Sequence, residues 1–473
     1  MSELWVPHCY QRTAISEIIS NEILGLFLDP GLGKTSIALC AIKILKYNGS
    51  FGNLVIVPIN PMYNTWPLEI SKWTNFNNLT HTILHGKTKD TLWGPKKDIY
   101  LINPEGLKWL YYELLKGLKE GRKLPFKNLW VDESTKFKND TAKRFDLLCD
   151  MLCLFKRRHI LTGTPAPKSL LNLWSQMYIL MDEKNPLGGN YYDYRSEYFF
   201  TEDWDSYNYQ LIDFCDDIIK EKIAPYVLEM SAEDHLDMPP LVYNPIYITL
   251  PDKAYKYYKQ MERQMWLEID QFCATAEAAV QATQKCHQIS NGRVYADQPE
   301  GLERPLRAAE RDVLQVHTAK LEALEALIDE LGGKPLLVTY YYNHDLAALQ
   351  GLLGAALPYI GRGTKQRDKE KYQEEFNKGN IPILAVHPDS AALGLNLQGK
   401  STDICFYSLF NNTENYIQII RRLWRQGVGG KVRAHHLIAK GTVDEAIYHR
   451  LGQNCQQQID FRKALKLYRE SNL

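Results

Sequence analysis

The feature that most constrains this chain is an apolar run that ends in a glycine turn and a lysine. Leu24–Leu28 leads into Asp29-Pro30-Gly31-Leu32-Gly33-Lys34-Thr35, and the helical run Ser36–Lys43 follows. In a strand–turn–helix of this kind, backbone N–H groups converge on phosphate oxygens and the helix N-terminus adds a favourable dipole. Lys34 is placed to bridge the β- and γ-phosphates, and the Thr35 hydroxyl to bind Mg2+. Gly31, Leu32, Gly33, Lys34, Thr35 and Ser36 are the candidate nucleotide contacts. Alone, the loop also fits an ordinary strand–turn–helix, because Leu28 stands where the strict pattern has glycine. A second feature separates the two readings. The run Leu129-Trp130-Val131 ends in Asp132-Glu133. For two acids by themselves, a solvated strand end is explanation enough. Paired with the loop, they supply a Mg2+ ligand in Asp132 and a general base for an attacking water in Glu133.

At 473 residues the chain exceeds one core, and two or three domains are expected. Short apolar runs alternate with helical stretches at both ends. Candidate strands are Leu24–Leu28, Leu54–Val57, Asp98–Ile102, Asn128–Val131 and His159–Leu161, then Pro335–Thr339, Ile381–Val386, Asp403–Tyr407 and Ala434–Ala439. That alternation predicts parallel α/β sheets, with ligands outside the carboxyl ends of the strands. Between them the composition turns to Tyr, Trp, Gln and charge, and Lys253–Gln288 reads as long helices. The expected division is 1–181, a helical insertion over 182–312, and 313–473 with a closing helix at Val443–Leu467.

The 56 basic and 56 acidic residues balance, so net charge argues neither for nor against a polyanionic partner, and a local basic cleft is compatible with it. No apolar run approaches the roughly 18 residues of a membrane span, and the N-terminus lacks a basic region followed by an apolar stretch. The nine cysteines are scattered, with no second pair to complete a zinc site beside Cys149 and Cys153. Reduced thiols and a cytoplasmic setting are expected.

The loop and the acids resemble motifs I and II of superfamily 2 helicases, in the form of the Swi2/Snf2 branch. Residues 28–35 match the family's Asp-Glu-Met-Gly-Leu-Gly-Lys-Thr loop, and Asp132–Arg144 its extended motif II, with Ser134-Thr135 where Ala-His is common. The other motifs follow in family order. Tyr10-Gln11 resembles the adenine-recognising Q motif, and Val55–Trp73 resembles motif Ia, with Pro58 and Trp66 in place. Asn103–Leu107 resembles the next nucleic-acid-facing loop, and Leu161–Pro165, containing Thr164, resembles motif III. Gly394–Gln398, containing Asn396, resembles motif V, and Gln418–Gly427 resembles motif VI. Arg422 and Arg425 stand three apart and are expected on one helix face, as arginine fingers toward developing phosphoryl charge. Gln284–Ile289 and the stretch around Pro239-Pro240 resemble the Snf2-type insertion, whereas Val227-Leu228-Glu229-Met230 replaces the family's Arg-Arg-x-Lys element. The compact chain resembles the stand-alone members found in bacteriophages and bacteria.

The resemblance implies two RecA-like (P-loop NTPase) lobes with a helical insertion. It implies ATP and Mg2+ as cofactors, catalysis by Lys34, Asp132, Glu133, Arg422 and Arg425, and adenine contact by Gln11. Pro58, Asn103, Thr164 and Asn396 are the nucleic-acid candidates it supplies. The implied function is an ATP-dependent DNA translocase or helicase acting on duplex or branched DNA. The alternatives are an RNA helicase and a nucleotide-dependent DNA-binding module without turnover. A monomer is expected, with no protein partner indicated, no membrane contact and no DNA cleavage.

Overall fold

The computed structural model describes residues 3–137, 143–166, 169–201, 209–271, 276–296, 310–392, 395, 397 and 399–471. The chain forms two compact units, one of Met1–Leu236 with Cys455–Leu473 and one of Asp237–Asn454.

In the first unit, β1 (Ile23–Leu28), β2 (Asn53–Ile56), β3 (His81–Ile83), β4 (Ile99–Ile102), β5 (Asn128–Asp132) and β6 (Arg157–Thr162) alternate with helices. A short antiparallel pair follows, β7 (Phe199–Phe200) with β8 (Gln210–Leu211), and then β9 (Val227–Met230). The parallel sheet runs β3-β4-β2-β5-β6-β1-β9. β2 and β4 are buried throughout, as in a sheet covered on both faces. Because β6 lies between β5 and β1, the turns after these three strands are neighbours at the carboxyl edge. The approach is close. A Cβ on Gly163, after β6, would sit 2.8 Å from Pro30 Cδ in the phosphate loop.

In the second unit, β10 (Leu241–Ile248) is followed by an antiparallel pair, β11 (Arg293–Tyr295) with β12 (Val313–Gln315). Then come β13 (Leu336–Thr339), β14 (Tyr359–Ile360), β15 (Ile383–Val386), β16 (Asp403–Phe406) and β17 (Val432–Ala439). The six-stranded parallel sheet runs β10-β17-β16-β13-β15-β14. Helices Asp252–Gln271 and Ala276–Ser290 form the helical insertion. The chain is thus an α/β protein with two RecA-like lobes.

Contacts divide the chain after Leu236 rather than at 181 or 312, because β9 pairs with β1 and β10 pairs with β17. Both strands escape a periodicity reading for physical reasons. β9 carries a glutamate that Arg462 neutralises from far along the chain. β10 carries Pro245, tolerable because β10 is an edge strand. The closing helix, Val443–Ser471, belongs to the second unit up to Asn454 and to the first from Cys455.

In the second unit a charged pair is sealed in the core. Lys320 Nζ lies 2.6 Å from Asp444 Oδ2, and both side chains are 0% exposed. Asp444 also accepts from Ser290 Oγ (2.8 Å) and Ala439 N (3.0 Å), while Lys320 donates to Asn291 Oδ1 (2.7 Å). Among the described residues the cysteines are free, and no helix is long and apolar enough to cross a membrane.

Candidate active site

The phosphate loop leaves β1 at Asp29 and enters the helix Lys34–Tyr47, with Gly33 as its N-cap at φ 80°. That left-handed conformation favours glycine, and a Cβ would also meet Gln11 Nε2 at 2.7 Å. Gln11 is buried against the loop. Its Nε2 donates to Leu32 O (3.1 Å), and its Oε1 accepts from His8 N (3.0 Å). Tyr10 stacks on His8 and on His235, and its hydroxyl donates to Leu32 O (3.4 Å). The sequence-predicted adenine reader therefore also braces the loop backbone. Lys34 Nζ donates to Leu28 O at 2.9 Å. Burial pushes its ammonium below the usual lysine range, against the upward pull of Glu133, Asp132 and Asp29. The lysine and the acid pair thus share one electrostatic site.

Asp132 ends β5 with both oxygens engaged: Oδ2 accepts from Trp66 Nε1 (3.0 Å) and Oδ1 from Glu133 N (3.1 Å). Burial raises its carboxyl above the usual range, while the Trp66 donor, the Lys34 charge and the Glu133 N–H oppose the rise. Glu133 adopts φ 53°, a left-handed conformation that costs a non-glycine residue roughly 1–3 kcal/mol and recurs at functional sites. The next residue, Ser134, is fully buried and donates to Gln176 Oε1 at 2.7 Å. Gln176 Nε2 in turn donates to Pro165 O (2.6 Å) and Asn172 O (2.9 Å). A serine in place of the family's alanine therefore links the acid turn to the motif III turn through Gln176, a residue the sequence did not single out.

Thr35 and Asp132 fit a Mg2+ ion: both offer hard oxygen donors, and Mg2+ on a nucleotide takes one or two protein oxygens beside phosphates and water. The two N–H donors on Asp132 fix its carboxylate plane and leave it further acceptor capacity. The hydroxyl of Ser36 donates to Glu69 Oε2 at 2.7 Å.

The described nucleic-acid candidates are largely buried. Pro58 is buried and N-caps the short helix Ile59–Tyr63. Asn103 is 5% exposed, with its Nδ2 donating to Glu105 Oε2 (2.6 Å). Thr164 is 2% exposed, and its N–H donates to Thr162 Oγ1 (3.1 Å). Asn396 lies outside the described residues.

In the second unit, Arg422 lies on the helix Thr413–Leu423, but Arg425 does not share its face. The helix stops at Leu423 because Trp424 leaves helical geometry (ψ 91°) and its indole donates to Pro239 O at 2.6 Å. Arg425 lies beyond that cap, with its Nε donating to Arg421 O (2.8 Å). Burial and the neighbouring Arg422 charge both push the Arg425 guanidinium below its usual range, so two like charges stand close together. Such a pair favours an anion.

Arg462 is a site neighbour that sequence reasoning missed. Its guanidinium pairs with Asp29 at the start of the loop, donates from Nε to Glu229 Oε1 (2.7 Å) and from Nη2 to Met230 O (2.7 Å). Asp29 Oδ2 accepts from Ala232 N (2.9 Å) as well. The acids hold Arg462 above its usual range despite burial. The one available signal was Glu229 in a short apolar run, which calls for a cation.

Residues 5–297 match the model of the SNF2-related domain, and residues 319–427 match the helicase conserved C-terminal domain. Putative protein p41 of Acyrthosiphon pisum secondary endosymbiont phage 1 is 29% identical, over 94% of this chain and 95% of its own length. The ISWI chromatin-remodeling complex ATPase ISW2 of Saccharomyces cerevisiae is 24% identical over 94% of this chain, which spans only 40% of that protein. Among solved structures, the Sulfolobus solfataricus SWI2/SNF2 ATPase core in complex with dsDNA is 20% identical over 95% of this chain and 91% of its own, at a TM-score of 0.43.

Proposed function

We propose that this chain, which belongs to the SNF2-related domain family, is an ATP-dependent DNA translocase that couples hydrolysis to movement along duplex or branched DNA. The single observation that carries the ATPase reading is the shared site of Lys34, Asp132 and Glu133 at the carboxyl edge of β1 and β5. Lys34 exchanges the Leu28 carbonyl for phosphate oxygens when nucleotide enters. Thr35 and Asp132 would hold Mg2+, which would supply neutralisation of phosphate charge. Glu133 polarises the attacking water. The Ser134–Gln176–Pro165 link passes the state of the acid turn to the motif III turn. The proposed cycle also uses Arg422 and Arg425 of the second unit, whose charges favour the developing phosphoryl anion. Family membership and the name of the yeast relative, a chromatin-remodeling ATPase, support DNA as the track. The similarity to the phage protein p41 supports the cytoplasm of a bacterial or phage-infected cell as the proposed setting.

ATP hydrolysis measured without nucleic acid and with single-stranded, duplex or branched DNA, or RNA, tests the proposal. Stimulation by duplex or branched DNA is expected, and stimulation by RNA alone overturns the choice of track. Glu133→Gln is expected to lower turnover by about 10²–10⁴-fold while ATP still binds. Retained turnover removes Glu133 from the base role.

A further inference from the structure

The helix Thr65–Lys72 reaches both halves of the nucleotide site. Trp66 is fully buried, and its one polar atom, Nε1, donates to Asp132 Oδ2 at 3.0 Å. Glu69, on the same helix face, accepts from Ser36 Oγ (2.7 Å) in the first turn of the helix after the phosphate loop, and from Trp73 Nε1 (2.7 Å). Packing alone explains a buried tryptophan ring but not the destination of its N–H. A buried indole needs an acceptor, and here the acceptor is the carboxylate placed to meet the metal. With Glu133 N on the other oxygen, the carboxylate cannot rotate without losing a donor.

We propose that Trp66 and Glu69 are positioning residues of the ATP site: Trp66 sets the orientation in which Asp132 meets the nucleotide's Mg2+, and Glu69 holds the first turn of the phosphate-loop helix in register with it through Ser36. Neither touches nucleotide. The inference rests on the ATPase reading above. Removing a hydrogen bond behind a metal-binding carboxylate typically costs about 10–100-fold in metal affinity. A packed ring does not replace the indole donor, because Oδ2 of Asp132 loses the N–H that fixes its direction while only the Glu133 N–H still holds Oδ1.

Binding of a fluorescent ADP to the full chain, first in chelator and then along a Mg2+ titration, tests this without turnover. Trp66→Phe keeps the ring and deletes the N–H. It is expected to keep the parent's metal-free ADP affinity, while the Mg2+ concentration at half-effect rises about 10–100-fold. Glu69→Gln, which keeps an acceptor, is expected to bind metal-free ADP better than Glu69→Ala. An unchanged Mg2+ response in Trp66→Phe overturns the proposal, as does a loss confined to metal-free ADP binding. Should Trp66→Phe fail to fold, the unsubstituted chain labelled with 5-fluorotryptophan provides the second measurement. One indole fluorine resonance must move when Mg2+ is added to the ADP-bound protein, and a spectrum with no Mg2+-dependent resonance overturns the proposal. Absence of ATP hydrolysis in the parent would sink the proposed function yet leave these binding measurements readable. A parent that hydrolyses ATP beside a Trp66→Phe with normal Mg2+ response loses only this inference.

Discussion

Each unit buries a cluster of charge involving the closing helix, and the two clusters differ in what they touch. In the second unit, Lys320 and Asp444 are 0% exposed and 2.6 Å apart, and their further partners include Ser290, Asn291, the Ala439 N–H and, at 3.8 Å, His287. None of these is a candidate site residue. In the first unit, Arg462 meets Asp29, Glu229 and the carbonyl of Met230. Asp29 opens the phosphate loop, so this cluster ends at the candidate nucleotide site. Buried charge alone therefore does not mark function in this molecule. The distinguishing fact is whether the buried ion is bonded to a backbone segment that must also hold ligand.

The strongest way to break that contrast lies in the second unit. Lys320→Ala leaves Asp444 buried without its cation, and removing one partner of a buried pair costs about 3–5 kcal/mol. A large drop in the denaturant midpoint of the second unit is expected, with ATP affinity unchanged under conditions where the variant is folded. If ATP affinity falls with the fold intact, the Lys320 cluster is no mere core device and the contrast fails.

Arg462→Lys sharpens the same comparison with a smaller effect. Lysine keeps the charge but loses the planar fork that serves Asp29, Glu229 and Met230 O at once. Buried acceptors left without a donor cost about 1–3 kcal/mol. Here the loss is expected to appear in nucleotide binding, as ATP affinity weakened about fivefold or more, because Asp29 anchors the loop. Calorimetric titration with ATP checks this, and a variant that loses stability with unaltered ATP affinity places Arg462 in the same class as Lys320.

The contrast also shows what a linear sequence reveals. Strands β1, β2, β4, β5 and β6 are apolar runs of local origin, and their patterns predict them. Lys34, Asp132 and Glu133 were legible as candidates because phosphate-transfer chemistry calls for particular residue types next to strand ends. Their supports were not. Glu69, Gln176 and Arg462 act through side-chain hydrogen bonds to residues remote in the chain, and so does Trp66, which the motif Ia resemblance named without its partner. No periodicity encodes such partners. The helix end before Arg425 was hidden for the same reason, since the indole of Trp424 finds its acceptor at Pro239.

Acid titration gives the gentlest probe of the two units. In the first, burial and the Arg157 charge push His159 down to about 3. In the second, burial pushes His287 down to about 4, partly offset by Asp444, and pushes His436 down to about 3. A folded value below the unfolded value of about 6.5 means that the unfolded chain binds more protons. Each such histidine therefore leaves stability intact above about pH 6.5 and lowers it as pH falls toward the folded value, by about 1.4 kcal/mol per pH unit. The carboxylates add to the asymmetry. Despite burial, Asp345, Asp403 and Asp444 of the second unit are held below their usual range by His344, His435 and Lys320 among other partners, as is Asp216 of the first unit by Lys220, so their contribution is lost only below the unfolded value of about 4. Burial instead raises Asp132 and Glu229 of the first unit, and protonation relieves that cost as pH falls. The less shifted His81 and His235 lie in the first unit and His317 in the second, all lowered by burial. The second unit should thus lose stability more steeply between pH 6.5 and pH 4. Hydrogen exchange, corrected for the intrinsic rate, should show β13, β16 and β17 losing protection before β1, β5 and β6. Equal loss in both sheets would mean that the second unit's buried charge is no more acid-labile than the cluster at the phosphate loop.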